Sequence, residues 1–252
     1  MPEHISIRFY AELNDFLATE KRYSDLKVPL KQPRSVKDLI ESSGVPHTEI
    51  DLVLVNGETV ILDHLIRKGD QVSVFPLFRS LDISSLQSHQ IKPPLDPSFV
   101  LDVHLGKLAA YLRMLGFDTL YHNDYDDPTL ATISANEQRI LLTCDRQLLM
   151  RKIVTAGYYV RAREPYEQIL EVLSRFNMAN QQKPFSRCMN CNGKTHAVEK
   201  QEISARLPAE TKKYYSKFYQ CEDCNKIYWE GSHYIKMQRM ISKINRTLSS
   251  SE

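Results

Sequence analysis

Apolar and polar residues alternate in HISIRFY, with Ile5, Ile7 and Phe9 on one side and Ser6 and Arg8 on the other. That is the period of a half-buried strand. SVKDLIESSG predicts a short helix: Ser35 and Asp38 have capping-box spacing, and Gly44 closes the segment. DLVLVNGETV sets alternating apolar residues around Asn56-Gly57, a strong hairpin signal. After the RKGD turn, QVSVFP places Val72 and Val74 on one face. Residues 1–80 therefore read as a small α+β domain. Residues 81–97 (LDISSLQSHQIKPPLDP) are polar, contain three prolines and read as a linker.

Strand and helix periods then alternate over 98–176. FVLDV is a short apolar strand, and Leu105, Leu108, Leu112 and Leu115 recur at helical spacing up to Gly116. FDTLYH, RILLTC and AGYYVRA read as further strands. Helices are expected behind Asp127-Pro128, through RQLLMRK, and in PYEQILEVLSRF, where Ile169, Leu170, Leu173 and Phe176 form a stripe. This alternation predicts an α/β core with a parallel sheet. Residues 236–252 are basic, then Ser-rich, and read as a frayed helix or tail.

Composition narrows the class. Of the 252 residues, 42% are hydrophobic and 25% charged, which excludes a disordered or low-complexity chain. No apolar run is long enough to span a bilayer, and the N-terminus lacks a basic-then-apolar leader, so no membrane association and a cytoplasmic location are expected. Four of the five cysteines form two C-x-x-C pairs, Cys188/Cys191 and Cys221/Cys224. Four thiolates complete a tetrahedral site with no open position, so a structural Zn²⁺ is expected over 185–235. The 29 residues between the pairs are expected to form a helical excursion. Residues 185–252 carry 12 Lys/Arg against 7 Asp/Glu, which suits an anionic partner such as RNA.

Carboxylates follow the strands of 98–176. Asp102 closes the first, Asp124, Asp126 and Asp127 follow the second, and Asp145 follows the third. In an open parallel sheet these C-terminal ends share one edge. Converging carboxylates repel one another, and a hard divalent cation, Mg²⁺ or Mn²⁺, resolves the conflict. Asp145 and Asp127 are also well placed as simple helix caps, whereas Asp102 interrupts an apolar stretch where an unpaired carboxylate is costly. Lys107, Arg113 and Arg146 are candidate phosphate contacts. Lys212, Lys213, Tyr214 and Tyr215 interleave charge and rings as single-stranded RNA requires, whereas Tyr228 and Trp229 are expected in the ribbon's own core.

Two resemblances follow from these segments. The element order of residues 1–80 resembles the β-grasp fold of ubiquitin-like sulfur carriers, but the chain has no Gly-Gly, so the fold and not the carrier chemistry is implied. FVLDVHLGKLAAYLRMLGFDTLYHND with DDPTLATISANEQRILLTCD resembles the PIN-like RNase family named for the C-terminal domain of the mut-seven exonuclease. That resemblance implies a PIN-like core, a zinc ribbon behind it and a β-grasp domain in front. It also implies that Asp102, Asp127 and Asp145, with Asp124, are catalytic metal ligands. Cys144 stands where a basic residue is expected in that family. The function implied is a Mg/Mn-dependent ribonuclease. The competing readings are a non-catalytic RNA- or ribosome-binding module with a degenerate acidic site, and a β-grasp adaptor for a protein partner.

Overall fold

The computed structural model of the chain describes residues 4–78 and 96–250; the expected linker lies outside them as far as position 95. The N-terminal segment runs β1 (His4–Phe9), β2 (Leu26–Pro29), α1 (Val36–Ser42), β3 (Leu52–Val55), β4 (Glu58–Thr59) and β5 (Gln71–Phe75). These strands form one sheet in the order β2-β1-β5-β3-β4, with β1 and β5 parallel. Ile5, Ile7 and Phe9 all face its core beside Val36, Leu39 and Ile40 of α1. The capping box forms as expected: Asp38 N–H donates to Ser35 Oγ at 3.1 Å, and Ser35 N–H to Asp38 Oδ2 at 3.4 Å. Asn56 and Gly57 adopt φ of 53° and 89°, the left-handed pair that a tight hairpin turn requires.

The chain continues through β6 (Ser98–Leu101), α2 (Gly106–Met114), β7 (Asp118–Leu120), α3 (Asp127–Glu137), β8 (Ile140–Thr143), α4 (Arg146–Leu149), β9 (Gly157–Tyr159) and α5 (Pro165–Arg175). Strand β6 pairs in parallel with β7, and β8 with β9. Each expected strand and helix is present. The leucine series of α2 is buried, and Gly116, at φ 93°, ends that helix where a Cβ would collide with the Lys183 carbonyl. Glycine is thus required twice there, for the backbone angle and for the close approach.

The described residues fall into two compact units. One comprises 4–78 and 127–159, the other 96–126 and 160–250. The expected core of 98–176 therefore contributes to both. Within the first unit the β-grasp segment is bonded to the segment carrying β9. Glu49, 1% exposed, accepts from Tyr159 N–H at 2.7 Å. His47 Nε2 lies 2.9 Å from the Val154 carbonyl, and its Nδ1 lies 2.7 Å from Glu41 Oε1. Phe16 meets the Tyr159 ring edge-on, with centroids 5.3 Å apart.

In the second unit Phe99 of β6 packs against Phe117 and Phe176, and Ile169, Val172 and Leu173 form the buried stripe of α5. Strands β10 (Thr195–Val198), β11 (Phe218–Cys221) and β12 (Ile227–Trp229) make an antiparallel sheet. Two short helices, α6 (Lys200–Ile203) and α7 (Ala209–Tyr214), fill the expected excursion between β10 and β11. Of the frayed helix or tail expected over 236–252, the structure shows the helix: α8 (Ser232–Ser249), 18 residues long, in which Ile241, Ile244 and Leu248 are buried. Lys243 Nζ sits 3.9 Å from the centre of the Tyr166 ring, and Tyr166 OH is 2.9 Å from Thr247 Oγ1. That three-residue stripe, at about 1.5–3 kcal/mol per buried side chain, holds the segment as a helix where a basic, Ser-rich composition suggests fraying.

Candidate metal centres

The two C-x-x-C turns are built alike. In the first, Cys188 N–H donates to the Gly193 carbonyl at 2.7 Å and Asn192 N–H to the Cys188 carbonyl at 3.0 Å. In the second, Cys221 N–H donates to the Lys226 carbonyl and Asn225 N–H to the Cys221 carbonyl, at 3.0 and 3.2 Å. Asn192 and Asn225 each follow the second cysteine in a left-handed conformation, at φ 73° and 57°, which asparagine tolerates best among non-glycine residues. A Cβ on Gly193 would lie 2.9 Å from Cys221 Sγ, so the two turns close on each other only because that residue is glycine.

The four Sγ atoms all lie within 4.8 Å of one another, with Cys188–Cys224 at 3.6 Å and Cys191–Cys221 at 3.4 Å. Tetrahedral zinc with Zn–S near 2.3 Å places sulfurs about 3.8 Å apart, so the donor set fits that ion. Without metal the thiols differ. Burial pushes Cys191 up to about 12 and raises Cys221 as well. Burial also acts to raise Cys188, but hydrogen bonding, first from Tyr228 OH at 3.0 Å and then from the turn's backbone, brings it down to about 6.

Arg113, a candidate phosphate contact in the sequence, is instead buried and bonded to backbone carbonyls. It is 6% exposed; its Nε donates to the Thr119 carbonyl at 2.9 Å and its Nη1 to the Asn190 carbonyl at 3.1 Å. It thus ties α2 to β7 and to the first cysteine turn, and burial lowers its pKa. Asn192 completes the same joint: its Oδ1 accepts from Thr119 N–H and its Nδ2 donates to Asp118 Oδ1, both at 2.8 Å. Arg187 pairs with the other oxygen of Asp118 at 3.1 Å. Sequence reasoning missed Asn192, Asp118 and Arg187. Their signal was slight, an Asn after a C-x-x-C and an Asp in an ordinary Gly-Phe-Asp turn.

The acidic residues sit as follows. Asp102 directly follows β6, is 7% exposed, and makes no side-chain cap on the 3-10 turn Val103–Leu105 behind it. That turn is held by Tyr121, whose hydroxyl donates to the Val103 carbonyl at 2.9 Å and whose ring lies against Gly106, where a Cβ would be 2.6 Å from the hydroxyl. Asp124 is exposed, 3.5 Å from His122 Nδ1. Asp127 begins α3, with Arg151 at 3.9 Å. Asp145 caps α4: its Oδ1 accepts from Gln147 N–H at 2.7 Å, and its own N–H donates to Thr143 Oγ1 at 2.9 Å. The capping role weighed for Asp145 is therefore real and occupies Oδ1. Asp102, Asp124 and Asp126 belong to one compact unit, Asp127 and Asp145 to the other.

Among the other candidates, Lys107 is exposed on α2, and Lys212 and Tyr214 are exposed on α7, where Lys213 lies over the Tyr214 ring at 5.2 Å. Arg146 directs Nη1 to the Phe16 carbonyl at 3.0 Å, so it anchors its own unit as well as standing beside Asp145.

A family model described as the Mut7-C RNAse domain matches residues 97–241, and a second, described as Mut7-C ubiquitin, matches residues 2–82. The chain belongs to the Mut7-C RNAse domain family. No curated protein matches the chain. The Mut7-C RNAse match includes β6, Asp102, Asp118, Asp124, Asp126, Asp127, Asp145 and all four paired cysteines. A nuclease-like role, a preceding ubiquitin-like domain and a four-cysteine group able to hold zinc follow. No helix of the described residues is long and apolar enough to cross a membrane.

Proposed function

We propose that this Mut7-C RNAse protein is a metal-dependent ribonuclease in which Asp102, Asp124, Asp127 and Asp145 hold Mg²⁺ or Mn²⁺. The observation that carries the reading is the Mut7-C RNAse match over residues 97–241, which contains all four of these acids, Asp102 among them at the buried end of β6. The donors are all carboxylate oxygens, which suits a hard cation better than zinc. When bound, such an ion lowers the pKa of a water and offsets charge on a phosphodiester.

The chain's own residues divide the remaining work. Tyr121 and Gly106 fix the turn that presents Asp102, and Thr143 fixes the turn that presents Asp145. Lys107, exposed on α2, supplies a phosphate contact, and Lys212 with Tyr214 extends the binding track over the ribbon. Zinc held by the four cysteines shapes the ribbon and takes no part in chemistry, because four thiolates leave no open position. The ubiquitin-like domain, which carries no Gly-Gly, serves as a docking platform for a protein partner, and the protein acts in the cytoplasm.

The test is cleavage of single-stranded RNA by the zinc-loaded chain with and without Mn²⁺. Metal-dependent cleavage supports the reading. Tight binding without cleavage at any Mn²⁺ concentration would favour a non-catalytic RNA-binding module instead.

A further inference from the structure

The second unit contains a cleft of about 300 Å³ beside the zinc ribbon, remote in sequence from the acidic residues. Phe185, Tyr219, Tyr228, Trp229 and Tyr234 supply its rings, and Glu230 and Arg187 its charges. Phe185 and Tyr234 face each other with centroids 4.6 Å apart at 38°. Trp229 packs one part of its surface on the ribbon core of Ile203, Leu207 and Phe218, as expected from sequence, yet it also lines the cleft. Its indole edge is set by Gly231, where a Cβ would lie 2.9 Å from Nε1. Tyr219 is 36% exposed.

We propose that this cleft is a base-binding subsite for an unpaired guanine of single-stranded RNA, an inference that rests on the ribonuclease reading above. Three observations favour that occupant. The cleft is at the small end of ligand sites, which suits one planar ring system. Its wall is aromatic, which suits stacking of an unpaired base. Residues 185–252 carry 12 Lys/Arg against 7 Asp/Glu, complementary to the phosphates attached to that base. Glu230 then selects among bases. A carboxylate accepts two hydrogen bonds at once from the N1–H and N2–H₂ of guanine, whereas uracil offers one donor on that edge. Burial and the adjacent Glu230 carboxylate hold the Tyr234 phenol above its ordinary range, consistent with a hydroxyl that stays protonated beside that acid.

Trp229 is the chain's single tryptophan, so its emission reports the cleft directly. The experiment titrates the zinc-loaded full chain, without Mn²⁺, with GMP, AMP, CMP and UMP, and follows Trp229 fluorescence. GMP is expected to quench saturably and to bind at least about tenfold more tightly than UMP. Glu230→Gln is expected to remove that preference, and Tyr219→Ser, at a ring 36% exposed, to weaken GMP at least about fivefold. Equal quenching by all four nucleotides, no quenching by any, or unchanged affinity in both variants would overturn the proposal. Because no cleavage is involved, GMP-selective quenching in a chain that never cuts RNA leaves the cleft standing and removes the nuclease. Cleavage without quenching does the reverse.

Discussion

The side-chain amide of Asn192, one residue beyond Cys191, donates to the Asp118 carboxylate on β7 at 2.8 Å and accepts from Thr119 N–H at the same distance. The zinc turn and the parallel strand pair are therefore one hydrogen-bonded body. Asn192→Ala leaves a buried N–H and a carboxylate oxygen short of a partner, at a cost of about 1–3 kcal/mol. Thermal denaturation of the zinc-loaded chain should show a fall of several degrees. An unchanged Tm would mean that the joint contributes nothing.

Zinc removal should be proton-coupled. At neutral pH the metal-free Cys191, near 12, and Cys221, also raised by burial, carry protons, whereas Cys188, near 6, is largely thiolate. Binding releases the protons of the raised thiols, so affinity rises with pH, roughly tenfold per proton per unit. Chelator competition between about pH 6.5 and 8 measures the slope. A flat profile would show that the thiols already enter as thiolates.

Arg113 and Lys107 share a helix but should behave oppositely. Arg113→Ala strands buried carbonyls and should destabilise by about 2–3 kcal/mol, with a matching loss of Tm. Lys107→Ala should leave Tm nearly unchanged but lower the salt dependence of RNA binding by about one unit. Denaturation paired with binding across ionic strength separates the two. A normal Tm for Arg113→Ala would return that residue to the substrate.

Glu49→Ala should loosen the ubiquitin-like domain from β9. The Tyr159 N–H loses its 2.7 Å acceptor, which costs about 1–3 kcal/mol. Limited proteolysis should then release the N-terminal segment faster than from the unaltered chain. Equal rates would show that this contact does not hold the domain.

Much of this fold is legible in the sequence because local signals carry it. Ser35 with Asp38, Asn56-Gly57, Asp127-Pro128 and the leucine series of α2 each encode their element within a few residues. The cysteine spacing likewise announces its site. What escaped were long-range pairings. Arg113 looks like any basic residue on a helix until residues 190 and 119 supply its carbonyls, and no local pattern encodes that. The packing of the C-terminal helix escaped too, because Ile241, Ile244 and Leu248 among many Lys, Arg and Ser are a weak stripe until they are buried. Trp229 was legible as ribbon core but not as the wall of a cleft, since one ring does both.

The joint holding of one hard ion is tested most directly by Mn²⁺ binding to the zinc-loaded chain, titrated for the unaltered protein, Asp102→Asn and Asp145→Asn. Shared ligation predicts that either substitution weakens the same Mn²⁺ site by at least about a hundredfold, with helix content unchanged and Mn²⁺-dependent RNA cleavage lost in step. Unaltered Mn²⁺ affinity in both variants would contradict the account.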